Sequence, residues 1–319
     1  MTTDVLARIR TACAQVTAQA TYVHIDHERL DRYARTLLQA DGQVAAEDPG
    51  RQRVGDDESA AAFVIALDAI NFGSGYFPYL RKRDGMSGYH TVAAALRDRV
   101  TGHGPITGPW LRRVDIGTCN EIFDQPDTEL AQELMRLFAT ALRDLGEFVG
   151  GFDDSFVTFV RSADHSAASL VEQLDRMPFF RDVATYRGLS VPLYKRAQIT
   201  AFDLAQAFAD NELARFDDLH RLTMFADNLV PHVLRVDGVL RFSDDLLARI
   251  ERVDNIEAGS EPEVEIRAVG LHAVELLQQT VTALGASMTS GEIDSVLWNR
   301  GAGARYKAIP RHRSRTVFY

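Results

Sequence analysis

Two stretches of the chain place charged side chains at helix ends, where a side-chain charge and the helix dipole act on the same neighbour. In Tyr186-Arg-Gly188-Leu-Ser-Val-Pro192-Leu-Tyr-Lys195-Arg196-Ala-Gln198, a turn containing Gly188 and Pro192 feeds a helix whose first turn carries Lys195 and Arg196. Cations there oppose the dipole, so the pair is either a solvated surface feature or part of a phosphate site that uses side chains and unpaired amides together. In Leu222-Thr-Met-Phe225-Ala-Asp227-Asn228-Leu-Val-Pro231-His232-Val-Leu-Arg235, the pattern puts Asp227 at the end of an apolar helix over 217–228, just ahead of a proline. A carboxylate there faces the negative end of the dipole between Phe225 and Val230, so it is either a capping or loop residue or a group held for chemistry.

Other chemistries find less support. His24-Ile-Asp26-His27 offers two imidazoles and a carboxylate, but no H-E-x-x-H or cysteine cluster joins them, and Asp26 stands where a helix cap belongs. No bound metal is expected. Gly73-Ser74-Gly75 lacks the spacing and flanking strand of a serine nucleophile. Phosphate loops and G-x-G-x-x-G fingerprints are missing, so neither ATP nor NAD is expected, nor any other cofactor.

The elements that must position these residues are helical. Apolar periodicity predicts helices over 4–20, 26–40, 58–71, 89–100, 128–149, 166–174, 195–211, 217–228, 231–236, 243–251, 261–283 and 290–299. Asp26, Asp127 with Thr128, and Ser243 stand at helix starts as caps. Residues 45–57 and 101–117 read as loops. Residues 156–160 and 236–240 read as short strands, the second around the Asp237-Gly238 turn dipeptide of a tight hairpin. The fold class is therefore all-α with at most a minor β hairpin.

Composition narrows the function further. With 319 residues, 46% apolar, the chain can bury a large core as one domain spanning 1–319 or as two closely packed helical subdomains. A net charge of −10 disfavours a nucleic-acid polymer as partner. Charge is segregated: the stretch from Arg300 to Tyr319 holds six Lys and Arg residues and no acid, leaving 29 basic against 45 acidic side chains elsewhere. That stretch is either an anion-binding edge or a tail paired with the acidic body. Two separated cysteines, no signal-like leader and no apolar run of about 20 residues point to a cytoplasmic protein without a membrane span.

Lys195 followed by Asp227 is similar in order of parts to helix-hairpin-helix DNA glycosylases, where an Asp supports cleavage of a base from its sugar. A fuller resemblance joins Ala66-Leu-Asp68-Ala-Ile-Asn71-Phe72, Tyr194-Lys195-Arg196-Ala-Gln198-Ile199, Phe225-Ala-Asp227-Asn228-Leu-Val-Pro231, Ile293-Asp294 with Leu297-Trp298, and Pro310-Arg-His-Arg313-Ser-Arg315 with Tyr319. In that order these motifs resemble the queuosine salvage protein family, from about residue 20 to the end.

The resemblance implies a helical, DNA-glycosylase-like fold that hydrolyses queuosine 5'-phosphate to queuine and ribose 5-phosphate, with a small nucleotide as partner. It implies Asp227 as the carboxylate that stabilises an oxocarbenium-like transition state and activates water, because bond cleavage builds positive charge on the ribose. Lys195 then holds the phosphate, orients Asp227, or serves only as a structural ion pair. Phe72, Phe225 and Trp298 are candidates to sandwich the deazapurine. Asn71, Asp203, Asn228, His232 and Asp294 are candidates to read base edges or the ribose diol, and Arg313, Arg315 and Tyr319 to close the pocket or bind phosphate. The rival classes are a non-catalytic helical nucleotide-binding protein and a nucleic-acid base-excision glycosylase.

Overall fold

Short polar side chains set the helix starts. In the computed structural model, which describes residues 4–39 and 53–319, Asp4, Asp56, Ser87, Asp115, Ser155, Ser166 and Ser243 each accept the amide three residues on. Each such cap contributes about 1 kcal/mol. The described residues form two compact units, the first from 4–39, 182–195 and 220–315, the second from 53–181, 196–219 and 316–319.

The first unit, with elements numbered along the chain, contains α1 (Val5–Gln19), β1 (Val23–Ile25), α2 (His27–Gln39), β2 (Val183–Tyr186), β3 (Leu189–Pro192), α11 (Leu229–Val236), β4 (Leu240–Phe242), α12 (Asp244–Glu251), α13 (Glu261–Ala283), α14 (Ser290–Gly301) and α15 (Ala304–Lys307). The long α13 is its spine: α1, α2, α11 and α14 all pack on it. Even its charged Glu263, Glu265 and Arg267 are buried. Such charges persist only when partnered. Glu265 takes the amides of Tyr22 and Val23 and the Tyr186 hydroxyl, so it fixes β1 and β2 to the spine. Two glycines permit close approach to α11: a Cβ on Gly270 would meet the Pro231 ring at 2.9 Å, and one on Gly301 the Leu229 side chain at 2.8 Å.

The second unit contains α3 (Asp57–Ala69), α4 (Gly88–His103), α5 (Gly108–Leu111), α6 (Ile116–Phe123), α7 (Glu129–Gly150), α8 (Phe156–Ser162), α9 (Ala167–Leu174) and all of α10 (Lys195–Ala207) after its first residue. Every residue of α3 from Ala60 to Ala69 is buried, as expected of a helix packed by α4, α7 and α8.

The predominantly helical expectation holds, with two small antiparallel pairs beside the helices. One pair joins distant segments, Val23 opposite Phe242 and Ile25 opposite Leu240; the other is the β2–β3 hairpin leading toward Lys195. Four expectations are corrected. Residues 156–160 are not a strand but α8, because Ser155 caps the segment and Glu58 accepts the Phe156 and Val157 amides. No hairpin forms at 236–240: Asp237 ends α11, Gly238 turns the chain with φ +79°, and Leu240–Phe242 pairs with β1 instead.

The helix expected over 217–228 shrinks to a 3-10 turn at Leu219–Arg221. Beyond it the backbone is held by remote side chains. Arg10 donates to the carbonyls of Arg221 and Leu222, the Phe225 amide donates to Asp294, and Arg267 donates to the Ala226 carbonyl. The expected loop over 101–117 contains α5. Residues 45–52 of the other expected loop, and Ala40 of the expected second helix, lie outside the described residues. No helix of the described residues is long and apolar enough to cross a membrane.

Candidate functional site

Asp227 is half-buried at the mouth of α11. Its Oδ1 accepts the amides of Leu229 at 2.8 Å and Val230 at 3.2 Å, while Oδ2 takes no part in that cap. This reverses the dipole argument made from the sequence: Asp227 faces the positive end of a following helix instead of closing a preceding one. Next to it, buried Asn228 donates to the His312 carbonyl at 3.3 Å, tying the turn to the basic C-terminal stretch. From that stretch Arg311 lies close enough to interact electrostatically with Asp227. Burial pulls the Arg311 pKa down, and the Asp227 charge opposes the pull.

Lys195 reaches the same unit from the β2–β3 hairpin, and it too is buried. Its amide donates to Asp182 Oδ2 at 3.1 Å, and the Asp182 carbonyl accepts the amides of Leu193 and Tyr194. Tyr194, between them, has φ +48°, a left-handed conformation that a non-glycine residue holds only under constraint. The amide at the start of this helix is therefore taken by a carboxylate and is not available to a phosphate.

Asp182 is in turn held by Arg267 on α13, a residue that sequence reasoning missed. Its guanidinium grips Asp182 with two bonds, Nη1 to Oδ1 at 3.0 Å and Nη2 to Oδ2 at 2.5 Å, and its Nε donates to the Ala226 carbonyl at 2.8 Å. Glu263 stands 3.6 Å away as a second counter-charge. All three side chains are nearly inaccessible to solvent. The only sequence signal was an Arg in the charged first half of α13, two residues after Glu265 and four after Glu263.

The other first-unit candidates divide by what holds them. Asp294 on α14 is buried and accepts the Phe225 amide at 3.0 Å, so it holds the segment that leads into Asp227. Phe225 is buried and Trp298 half-buried. Both ring nitrogens of His232 are engaged within the protein, Nε2 by the Tyr306 carbonyl at 2.9 Å and Nδ1 by Arg235 at 3.1 Å. Burial holds the His232 pKa down to about 4, so the neutral ring is the resident form. Arg313 is half-buried and its carbonyl accepts the Ile256 amide, whereas the Arg315 side chain is exposed.

The remaining candidates belong to the second unit. Phe72 is a core ring there, edge-on to Phe138 at 5.2 Å and Phe179 at 6.0 Å. Arg196 lies over it at 5.0 Å and over Phe180 at 4.6 Å, and donates to the carbonyls of Asp68, Ala69 and Phe179. Arg196 thus secures the end of α3 and is not a surface cation, unlike the solvated pair weighed from the sequence. Asn71 donates to buried Asp68 at 3.4 Å, and Asp203 is buried on α10. Tyr319 is buried, and its carboxyl-side oxygen accepts the Gly73 amide at 3.0 Å. Among the described residues no group of three or more His, Cys, Asp or Glu side chains gathers where it could hold a metal ion.

Comparison of the sequence with known proteins adds the following. The family model described as queuosine salvage protein matches residues 52–319. A protein of Sphaerobacter thermophilus named queuosine 5'-phosphate N-glycosylase/hydrolase is 35% identical over 320 residues, covering 98% of this chain and 97% of that protein. Proteins of the same name from Dictyostelium discoideum and Mus musculus are 31% and 28% identical, covering 98% and 93% of this chain and 99% and 94% of their own lengths. On a match that takes in most of its length, the chain belongs to the queuosine salvage protein family.

Proposed function

We propose that this protein hydrolyses the N-glycosidic bond of queuosine 5'-phosphate, giving queuine and ribose 5-phosphate. Full-length similarity to relatives bearing the name of that activity supports the reading. The observation that carries its chemistry is Asp227: a half-buried carboxylate fixed through one oxygen by two amides, with the other oxygen outside the cap.

As the bond between the base and ribose C1' breaks, its electron pair leaves with the base and positive charge spreads over C1' and the ring oxygen. A fixed carboxylate stabilises that charge without having to reorganise. Asp227 takes a proton from water as the water oxygen bonds to C1', and on releasing that proton to solvent while the departing base takes one up it returns to the carboxylate, so the hydroxyl of water ends on the sugar and its hydrogen on the base. Water, nucleotide, base and sugar phosphate balance, and no cofactor enters. The negative chain suits a free nucleotide, because a local basic group can neutralise one phosphate while the overall field repels a polymer. Lys195 and the arginines of the 311–315 stretch supply cations within Asp227's unit.

The test is single-turnover hydrolysis of queuosine 5'-phosphate by the Asp227→Asn variant. Asparagine keeps an acceptor for the Leu229 and Val230 amides but carries no charge, so binding and folding are expected to persist while kcat falls at least 1000-fold, or about 4 kcal/mol of transition-state stabilisation. Turnover within tenfold of the parent would remove Asp227 from the catalytic role.

A further inference from the structure

Lys195 and Asp227 are 32 positions apart in sequence, and the backbones that carry them are fastened to one guanidinium. Arg267 Nε holds the carbonyl of Ala226, the residue before Asp227. Its two terminal nitrogens hold Asp182, whose carboxylate takes the Lys195 amide and whose carbonyl takes the amides of Leu193 and Tyr194. The fastening is dry, planar and directional: Arg267 and Asp182 are both almost fully buried, and the pair is bidentate. It also has something to restrain, since Tyr194 is kept in the left-handed region and residues 222–226 are denied the helix their apolar pattern favours.

We infer that Arg267, acting through Asp182 and the Ala226 carbonyl, is a positioning residue that fixes Lys195 and Asp227 relative to one another for the proposed hydrolysis. The inference rests on that reading of the reaction for its kinetic test, and on geometry alone for its structural one. A lysine at 267 keeps the charge but has no fork, so it can satisfy Asp182 or Ala226 but cannot lock both. Misplacing a group by about 1 Å costs on the order of 100-fold in rate while ground-state binding is largely kept.

The experiment compares Arg267→Lys, Asp182→Asn and the double variant with a control, Tyr186→Phe, which loses a buried bond to Glu265 on the same helix α13. Folding is checked by thermal melts. Queuine release gives kcat and KM, and amide hydrogen exchange is followed at 193–195 and 225–230. Arg267→Lys is expected to lower kcat at least 30-fold with KM within threefold, and the double variant to be no worse than its worse parent. Tyr186→Phe is expected to keep kcat within threefold. Hydrogen exchange is expected to accelerate in both segments in Arg267→Lys and in neither in the control.

A folded Arg267→Lys with kcat within twofold and unchanged exchange overturns the inference. So does a control that loses as much kcat as Arg267→Lys, since the effect would then be general loosening. If Arg267→Lys does not fold, Asp182→Asn decides by the same criteria. If neither folds, Arg267 is a determinant of the fold and the positioning claim is lost. Should the unsubstituted chain release no queuine, the proposed reaction fails, and the exchange measurement alone still upholds or overturns the role of Arg267.

Discussion

Asp227 Oδ1 lies 2.8 Å from the Leu229 amide, so the carboxylate proposed for the chemistry is also the cap of the helix that follows it. The two roles separate by substitution. Asp227→Ala is expected to lose both activity and about 1 kcal/mol of stability, the usual cost of a lost cap. Asp227→Asn is expected to lose activity and almost no stability. Urea midpoints of the two variants check this; equal midpoints would show that the cap adds nothing.

Arg196 provides a contrast, being a buried cation with a structural task. Its guanidinium serves three carbonyls and lies over two rings of the second unit. Arg196→Met removes the guanidinium from the Ala69 and Phe179 carbonyls, whereas the Asp68 carbonyl keeps the Asn71 amide, and is expected to cost about 2 kcal/mol, taking the cost per buried unsatisfied group at the low end of its range. Arg196→Lys is expected to recover less than half of it, because an ammonium lacks the planar fork. Denaturant unfolding measures both.

Lys195→Met is expected to lower kcat/KM at least tenfold. A loss confined to KM for the phosphate ester assigns the ammonium to the phosphate, and a loss confined to kcat assigns it to the orientation of Asp227. Unchanged kcat/KM would remove Lys195 from the site.

Acid stability should depend on two buried histidines. Burial depresses His232 from the ordinary value of 6.5 to about 4, and His312, with the Arg311 charge adding to burial, to about 3. Between pH 6.5 and 4 the unfolded chain binds protons at these positions and the folded one does not, so their contribution is complete above pH 6.5 and lost as pH falls. The slope approaches about 1.4 kcal/mol per pH unit for each histidine. Melting temperatures between pH 7 and 4.5 are expected to fall, and less steeply in His232→Gln. A flat profile in the parent would contradict the assignment.

How much of this was legible in the sequence follows from how local each determinant is. Ser243, with an apolar run beginning three residues later, was readable because cap and helix are neighbours; the long α7 and α13 were readable because their apolar periodicity runs over six turns. Phe156-Val-Thr-Phe-Val160 suited a strand equally well, and its helix is held at the start by the adjacent Ser155 cap together with Glu58, almost a hundred residues away. Residues 222–226 suited a helix, and the choice was made by Arg10, Arg267 and Asp294. In the site, Lys195 and Asp227 stood out by residue type and through resemblance. Arg267 did not, because a charged residue inside a helix announces nothing about which distant backbone it holds.

The central claim is that the chain cleaves a nucleotide at its glycosidic bond and uses the phosphate for recognition. Mass spectrometry of purified protein incubated with queuosine 5'-phosphate, GMP and the unphosphorylated nucleoside tests it most directly. Free queuine is predicted to appear mainly from queuosine 5'-phosphate, with ribose 5-phosphate in equal amount and no guanine from GMP. Release of no base from any of the three would contradict the account and leave a helical nucleotide-binding protein in its place.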